Sequence, residues 1–112
     1  MFIEYDRGEM KELFSCDEMS LTDNWGDGEV QYIDRTRGDF VLTIFISAYE
    51  LECSVFLQYK TQDIFYAHFE EITKIKKERK SLVIYSYEKM MLKIIFNEFL
   101  IDAAVSKDCP IE

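Results

Sequence analysis

Short stretches of period-two hydrophobicity alternate along the chain with clusters of turn formers, a pattern that predicts strands joined by tight connections. Phe40 to Ser47 is β-branched and aromatic and predicts a central strand. In Leu51 to Tyr59, the residues Leu51, Cys53, Val55, Leu57 and Tyr59 share one face, and Glu52, Ser54, Phe56 and Gln58 share the other. Ala48, Tyr49 and Glu50 between these runs would close a hairpin. Upstream, Val30, Tyr32 and Asp34 alternate with Gln31 and Ile33, and residues 36–39 have the composition of a turn.

Residues 63–80 carry two periods at once. Phe65, Phe69, Ile72 and Lys76 lie at helical spacing, whereas Ile64, Tyr66 and His68 alternate with Phe65, Ala67 and Phe69. Strands are favoured, with 78–81 turning into a further strand from Ser81 to Tyr87. Met90–Phe96 and Phe99–Val105 fit either a hairpin or one amphipathic helix, because such dense apolar runs satisfy both periods. Met10, Leu13 and Phe14 predict a short helix from about Gly8 to Cys16, and the residues from Ser106 onward form a frayed tail. The predicted fold class is α+β, mainly antiparallel β. It would be a single-sheet meander or a small two-layer domain with a short N-terminal helix. At 112 residues, one domain spanning 1–112 is expected.

Charge narrows the function classes. Twenty-two acidic residues against thirteen basic ones give a net charge of −9, and 48% hydrophobic content excludes a disordered chain. The excess is uneven: residues 1–39 hold eleven acidic and four basic residues. Such a surface repels phosphate backbones and anionic membranes and attracts a basic protein. Direct nucleic-acid binding and membrane association are therefore not expected. Lys74, Lys76, Lys77, Arg79 and Lys80 form the basic cluster, which fits an exposed sheet edge protected against aggregation. Cys16, Cys53 and Cys109 lack paired spacing, which predicts reduced thiols and a cytoplasmic setting. The acidic first residues do not form a signal peptide, and no run of 18 apolar residues predicts a membrane span.

Candidate chemistry is sparse. His68 is the single histidine; it could pair with Glu70 as a general base, but a polar place on a strand face suits it better. Asp23, Asp27 and Gly28 match the first, fifth and sixth positions of a calcium loop. Trp25 at the third position cannot ligate and Asp34 replaces the final Glu, so a tight turn is the simpler reading. No catalytic residue, metal or cofactor is expected. The first candidate partner surface is Asp23, Asp27, Glu29, Asp34 and Asp39, with Trp25 as a hot-spot aromatic. A rival surface is Glu50, Glu52, Asp63, Glu70 and Glu71, of which Glu70 and Glu71 join the first set as candidate partner-binding residues.

These parts together resemble the small immunity proteins of bacterial contact-dependent growth inhibition systems. The resemblance spans about residues 25 to 105. It follows the order WGDGEVQYIDRTRGDFVLTIFIS, LECSVFLQY, FEEITKIKKERKSLVIYS and a final pair of apolar segments. An early Asp-containing turn stands at Trp25-Gly26-Asp27-Gly28, and a Phe-Glu-x-Ile segment at Phe69-Glu70-Glu71-Ile72. The resemblance implies a non-enzymatic, cytoplasmic bacterial protein. It would bind a cognate, basic toxin domain such as a nuclease and cover its active site or substrate path. The alternative is a non-catalytic adaptor or structural subunit that binds a basic protein.

Overall fold

The computed structural model describes residues 1–16, 18–22, 25–96 and 100–102 (backbone only at 25, 36, 37 and 100–102). Helix α1 spans Arg7–Phe14, close to the predicted bounds. Asp6 caps it by accepting the Glu9 N–H at 3.0 Å. Ser15, in the left-handed region at φ 57°, ends it and donates its N–H to the Lys11 carbonyl. Met10, Leu13 and Phe14 form its buried face.

Among the described residues nine strands follow, all antiparallel, in two sheets rather than one. The first sheet holds β1 (Met19–Ser20), β2 (Glu29–Arg37), β3 (Phe40–Ser47), β4 (Glu52–Tyr59) and β5 (Gln62–Phe69), in that order. The second holds β6 (Lys74–Glu78), β7 (Ser81–Ser86), β8 (Lys89–Ile95) and β9 (Leu100–Asp102), again in chain order. Both are meanders, as short connections between consecutive strands favour. Residues 63–80 are thus two strands, and the run from Met90 enters a β8–β9 hairpin, not a helix. Ala48–Glu50 form a 3₁₀ turn between β3 and β4. Leu51 ends that turn at φ 59° instead of beginning the strand. The predicted turn at 36–39 shrinks to Gly38 and Asp39, because Arg37 already pairs with Phe40. The frayed tail expected from Ser106 onward lies outside the described residues.

One core joins the sheets and the helix. Val30, Tyr32, Leu42, Ile44, Ile46, Val55 and Leu57 enter it from the first sheet, and Ile75, Leu82, Ile84, Leu92 and Ile94 from the second. Phe14 packs against Tyr32 at 5.6 Å and edge-on against Phe96 at 5.0 Å, ring centre to ring centre. Each such large apolar side chain removed from water stabilises the fold by about 1.5–3 kcal/mol. Backbone bonds add a seam. The Ile3 N–H donates to the Ala48 carbonyl at 2.9 Å, and the Glu4 N–H donates to the Thr73 carbonyl at 3.0 Å. The Ile75 N–H returns a bond to the Glu4 carbonyl at 2.9 Å. Residues 3 and 4 therefore tie the β3 end of one sheet to the β6 edge of the other.

A polar knot locks the chain beside this seam. The Glu18 carboxylate, 8% exposed, accepts the Tyr5 and Tyr32 hydroxyls at 2.7 Å each and meets Arg7 Nε at 3.0 Å. A carboxylate so nearly buried is tolerated because several donors meet it. Burial, and then donation to Glu18, pushes the Tyr5 hydroxyl up to about 12 and raises Tyr32 as well.

Candidate functional site

The alternation that fills the core leaves the opposite face of the first sheet to solvent. Register places Gln31, Phe45, Ser54 and His68 in one cross-strand row, and Ile33, Thr43, Phe56 and Tyr66 in the next. Phe45 meets Phe56 edge-on with ring centres 5.4 Å apart, and Phe56 meets Tyr66 at 4.6 Å. Three aromatic rings thus cross three strands on the outer face. Tyr66 is 56% exposed and Ile64 52% exposed. Outward aromatics in such contact are a recognised means of stabilising a sheet face. Their exposure also leaves an apolar platform that a partner could cover.

One end of this face is acidic. Glu29 and Glu52 flank Ser47 in a single row, and Glu29 accepts the Ser47 hydroxyl at 2.8 Å. Glu70 follows β5 at the same end, where its carboxylate clusters with Glu52 and His68. Asp27 lies just before β2 at this end and accepts the Thr22 hydroxyl at 2.9 Å. Around the corner is a cleft of about 650 Å³, whose lining includes Phe2, Tyr5, Arg7, Gly28, Ala48 and Tyr49. Phe2 and Tyr49 meet edge-on across it at 6.4 Å, both more than half exposed.

The predicted partner surface is only partly assembled. Asp27, Glu29 and Glu70 come to one end of the sheet, which merges members of the two rival acidic sets. Glu71 is exposed in the connection from β5 to β6, at φ 58°. Asp39 sits in the β2–β3 turn at the far end, eight residues before Ser47, or about 27 Å along the strand. Asp34 is removed from the set: its side chain is fully buried, on the face of β2 that carries Val30 and Tyr32. Trp25 opens the 3₁₀ turn Trp25–Asp27 that leads into Gly28 at φ 72° and then β2, so the turn reading holds for the backbone. Asp23 lies outside the described residues.

The aromatic row was missed as a site, although its signal was present. Phe45 and Phe56 stand at positions where the alternation of their strands is otherwise polar: Thr43, Phe45 and Ser47 in β3, and Ser54, Phe56 and Gln58 in β4. The basic cluster lies at a sheet edge as expected, but that edge is partly covered: Glu4 bonds to the backbone of Thr73 and Ile75, and Glu9 accepts the Lys77 N–H. Lys74, Lys76 and Lys77 lie on β6, the outer strand of the second sheet, and Arg79 and Lys80 form its turn. Lys77 pairs with Glu12 of α1 at 3.0 Å. Cys53 is buried, and its desolvated thiol is pushed up to about 12, which makes it a packing residue and not a nucleophile. None of the described helices is long and apolar enough to cross a membrane. In comparisons with known proteins, no family model, no curated protein and no solved structure matches this chain.

Proposed function

We propose that this chain is a non-catalytic binding domain that neutralises a basic toxin protein, in the manner of the immunity proteins it resembles, using the outer face of its first sheet. The observation that carries this reading is the aromatic row Phe45–Phe56–Tyr66 beside the carboxylates Glu29, Glu52 and Glu70. Aromatic anchors in the centre of an interface provide the desolvated contact that holds a complex. Carboxylates at its margin steer a cationic partner and fix its orientation. Against a nuclease they would occupy the groove that phosphates otherwise take.

Size sets a condition on this reading. Four strands by eight residues cover roughly 19 by 24 Å, or about 450 Å². A standard interface takes about 800 Å² from each partner. The sheet face supplies about half of that, and the neighbouring cleft with Phe2 and Tyr49 extends the surface at its acidic end.

The test is to look for a toxin gene beside the gene of this chain and to co-express the two proteins. Growth should be restored and the two proteins should co-purify, with affinity falling as salt rises. Failure to form a complex sinks the reading. If Tyr66→Ala and Glu70→Lys leave the affinity unchanged, the function stands and the face is wrong. The adaptor reading is favoured by one feature, the eight-residue β5 at the outer edge of the first sheet. A partner whose binding survives both substitutions but is lost on placing proline in β5 would select it.

A further inference from the structure

Among the described residues, one group of histidine and carboxylates converges outside the aromatic row. Glu52 opens β4, His68 is the penultimate residue of β5, and Glu70 follows two residues later. Side chains two residues apart on a strand share a face, and Ser54 pairs directly with His68 across the ladder. The potential ligand atoms of Glu52, His68 and Glu70 all lie within 4.8 Å of one another.

The imidazole is held in a defined orientation. His68 Nδ1 lies 2.7 Å from Ser54 Oγ. With Nδ1–H donating to that hydroxyl, Nε2 presents its lone pair towards the carboxylates. Glu52 Oε1 is 3.7 Å from Nε2, long for a hydrogen bond. It is close to the separation of about 3.4 Å between neighbouring ligands of a tetrahedral zinc ion with bonds of about 2.1 Å. A hydrogen-bond partner on the far ring nitrogen is the usual companion of a metal-ligating histidine. Two carboxylates and a neutral imidazole also offset the charge of a dication.

We propose that Glu52, His68 and Glu70 form a site for a divalent transition metal, with zinc as the reference ion and water completing its coordination. The ligand set is one nitrogen and two carboxylates on two adjacent strands, and it leaves at least one position open to solvent. Ser54 acts as a positioning residue, setting which ring nitrogen faces the ion. This site does not depend on the toxin-binding reading, and either can fail without the other.

The test is a zinc titration of the chelator-treated, desalted protein, followed by side-chain nitrogen resonances of His68 and by thermal unfolding. One equivalent should saturate the signal, perturb Nε2 more than Nδ1 and raise the unfolding midpoint. His68→Ala should abolish the response, and Glu70→Gln should weaken binding tenfold or more. Ser54→Ala should leave the ligands in place yet weaken binding about tenfold, the lower end of what losing a ligand's hydrogen-bond partner costs. No perturbation of His68 at excess zinc overturns the proposal. So does a zinc response that persists unchanged in His68→Ala, which would place the ion elsewhere on the chain.

Discussion

Phe56 and Tyr66 stand directly opposite each other on the solvent side of β4 and β5, with ring centres 4.6 Å apart. Aromatic pairs of this kind contribute about 0.5–1.5 kcal/mol beyond the area they bury. A double-mutant cycle with Phe56→Ala and Tyr66→Ala should therefore show coupling of that order in urea unfolding. Strictly additive effects would mean that the rings are neighbours without being partners.

The β4–β5 turn should be improvable. Tyr59 pairs with Gln62, leaving Lys60 and Thr61 as a two-residue loop with φ of 50° and 68°. Positive φ at both central positions is the type I′ pattern that Asn-Gly suits best. Replacing Lys60 by Asn and Thr61 by Gly should raise stability by about 1 kcal/mol, seen as a higher urea midpoint at constant slope. An unchanged or lower midpoint contradicts this.

Gly28 should resist substitution. Its φ is 72°, and a Cβ there would come within 2.9 Å of the Tyr49 ring. Its carbonyl also accepts the Ala48 N–H. Gly28→Ala combines the strain of a left-handed residue with a displaced aromatic ring and should cost about 2–3 kcal/mol in thermal or urea unfolding. A control at Gly38, where a Cβ meets nothing within 4 Å, should lose only the conformational part, about 1 kcal/mol.

Alkaline pH should loosen the fold through the Glu18 knot. Tyr5 holds its proton up to about 12, against 10.0 for a free tyrosine, and Tyr32 is raised in the same direction. Between those values the unfolded chain has lost protons that the folded chain keeps, so deprotonation favours unfolding. Stability should stay level on this account below about pH 10 and decline as pH rises towards 12. Urea midpoints measured across that window in the wild type and in Tyr5→Phe test it; the variant should decline less steeply. Identical slopes would remove Tyr5 from the account.

The strands were legible wherever one face is mainly polar and the other apolar, as in β4, where Cys53, Val55 and Leu57 are buried and Glu52, Ser54 and Gln58 alternate with them, Phe56 being the exception. β5 was ambiguous because both of its faces carry apolar residues: Ile64 and Tyr66 outward, Phe65 and Ala67 inward. That doubled pattern mimics a helix, and the aromatic row is what causes it. Asp34 shows a different lapse. Its parity with Val30 and Tyr32 already placed it on the inward face, yet charge counting drew it onto the surface. Of the Glu52–His68–Glu70 group only the local His68–Glu70 pairing could be read; Glu52 joins it through strand register, and the Glu18 knot through residues brought together from Tyr5, Arg7 and Tyr32.

The seam through residues 3 and 4 has a consequence for how the fold is acquired. The first sheet can pair completely once Phe69 is available, and Ile3 can then bond to Ala48, but Glu4 must wait for residues 73–75 before its bonds close. The helix likewise packs on Phe96, which arrives later still. The opening segment of the chain is therefore among the last parts to be locked. Contacts that span so much of the chain slow folding, because a long loop must be ordered before its bonds form. During synthesis on the ribosome, the beginning of the chain would rest on the first sheet through Ile3, Tyr5 and Phe14, with its remaining bonds waiting for the second sheet to emerge.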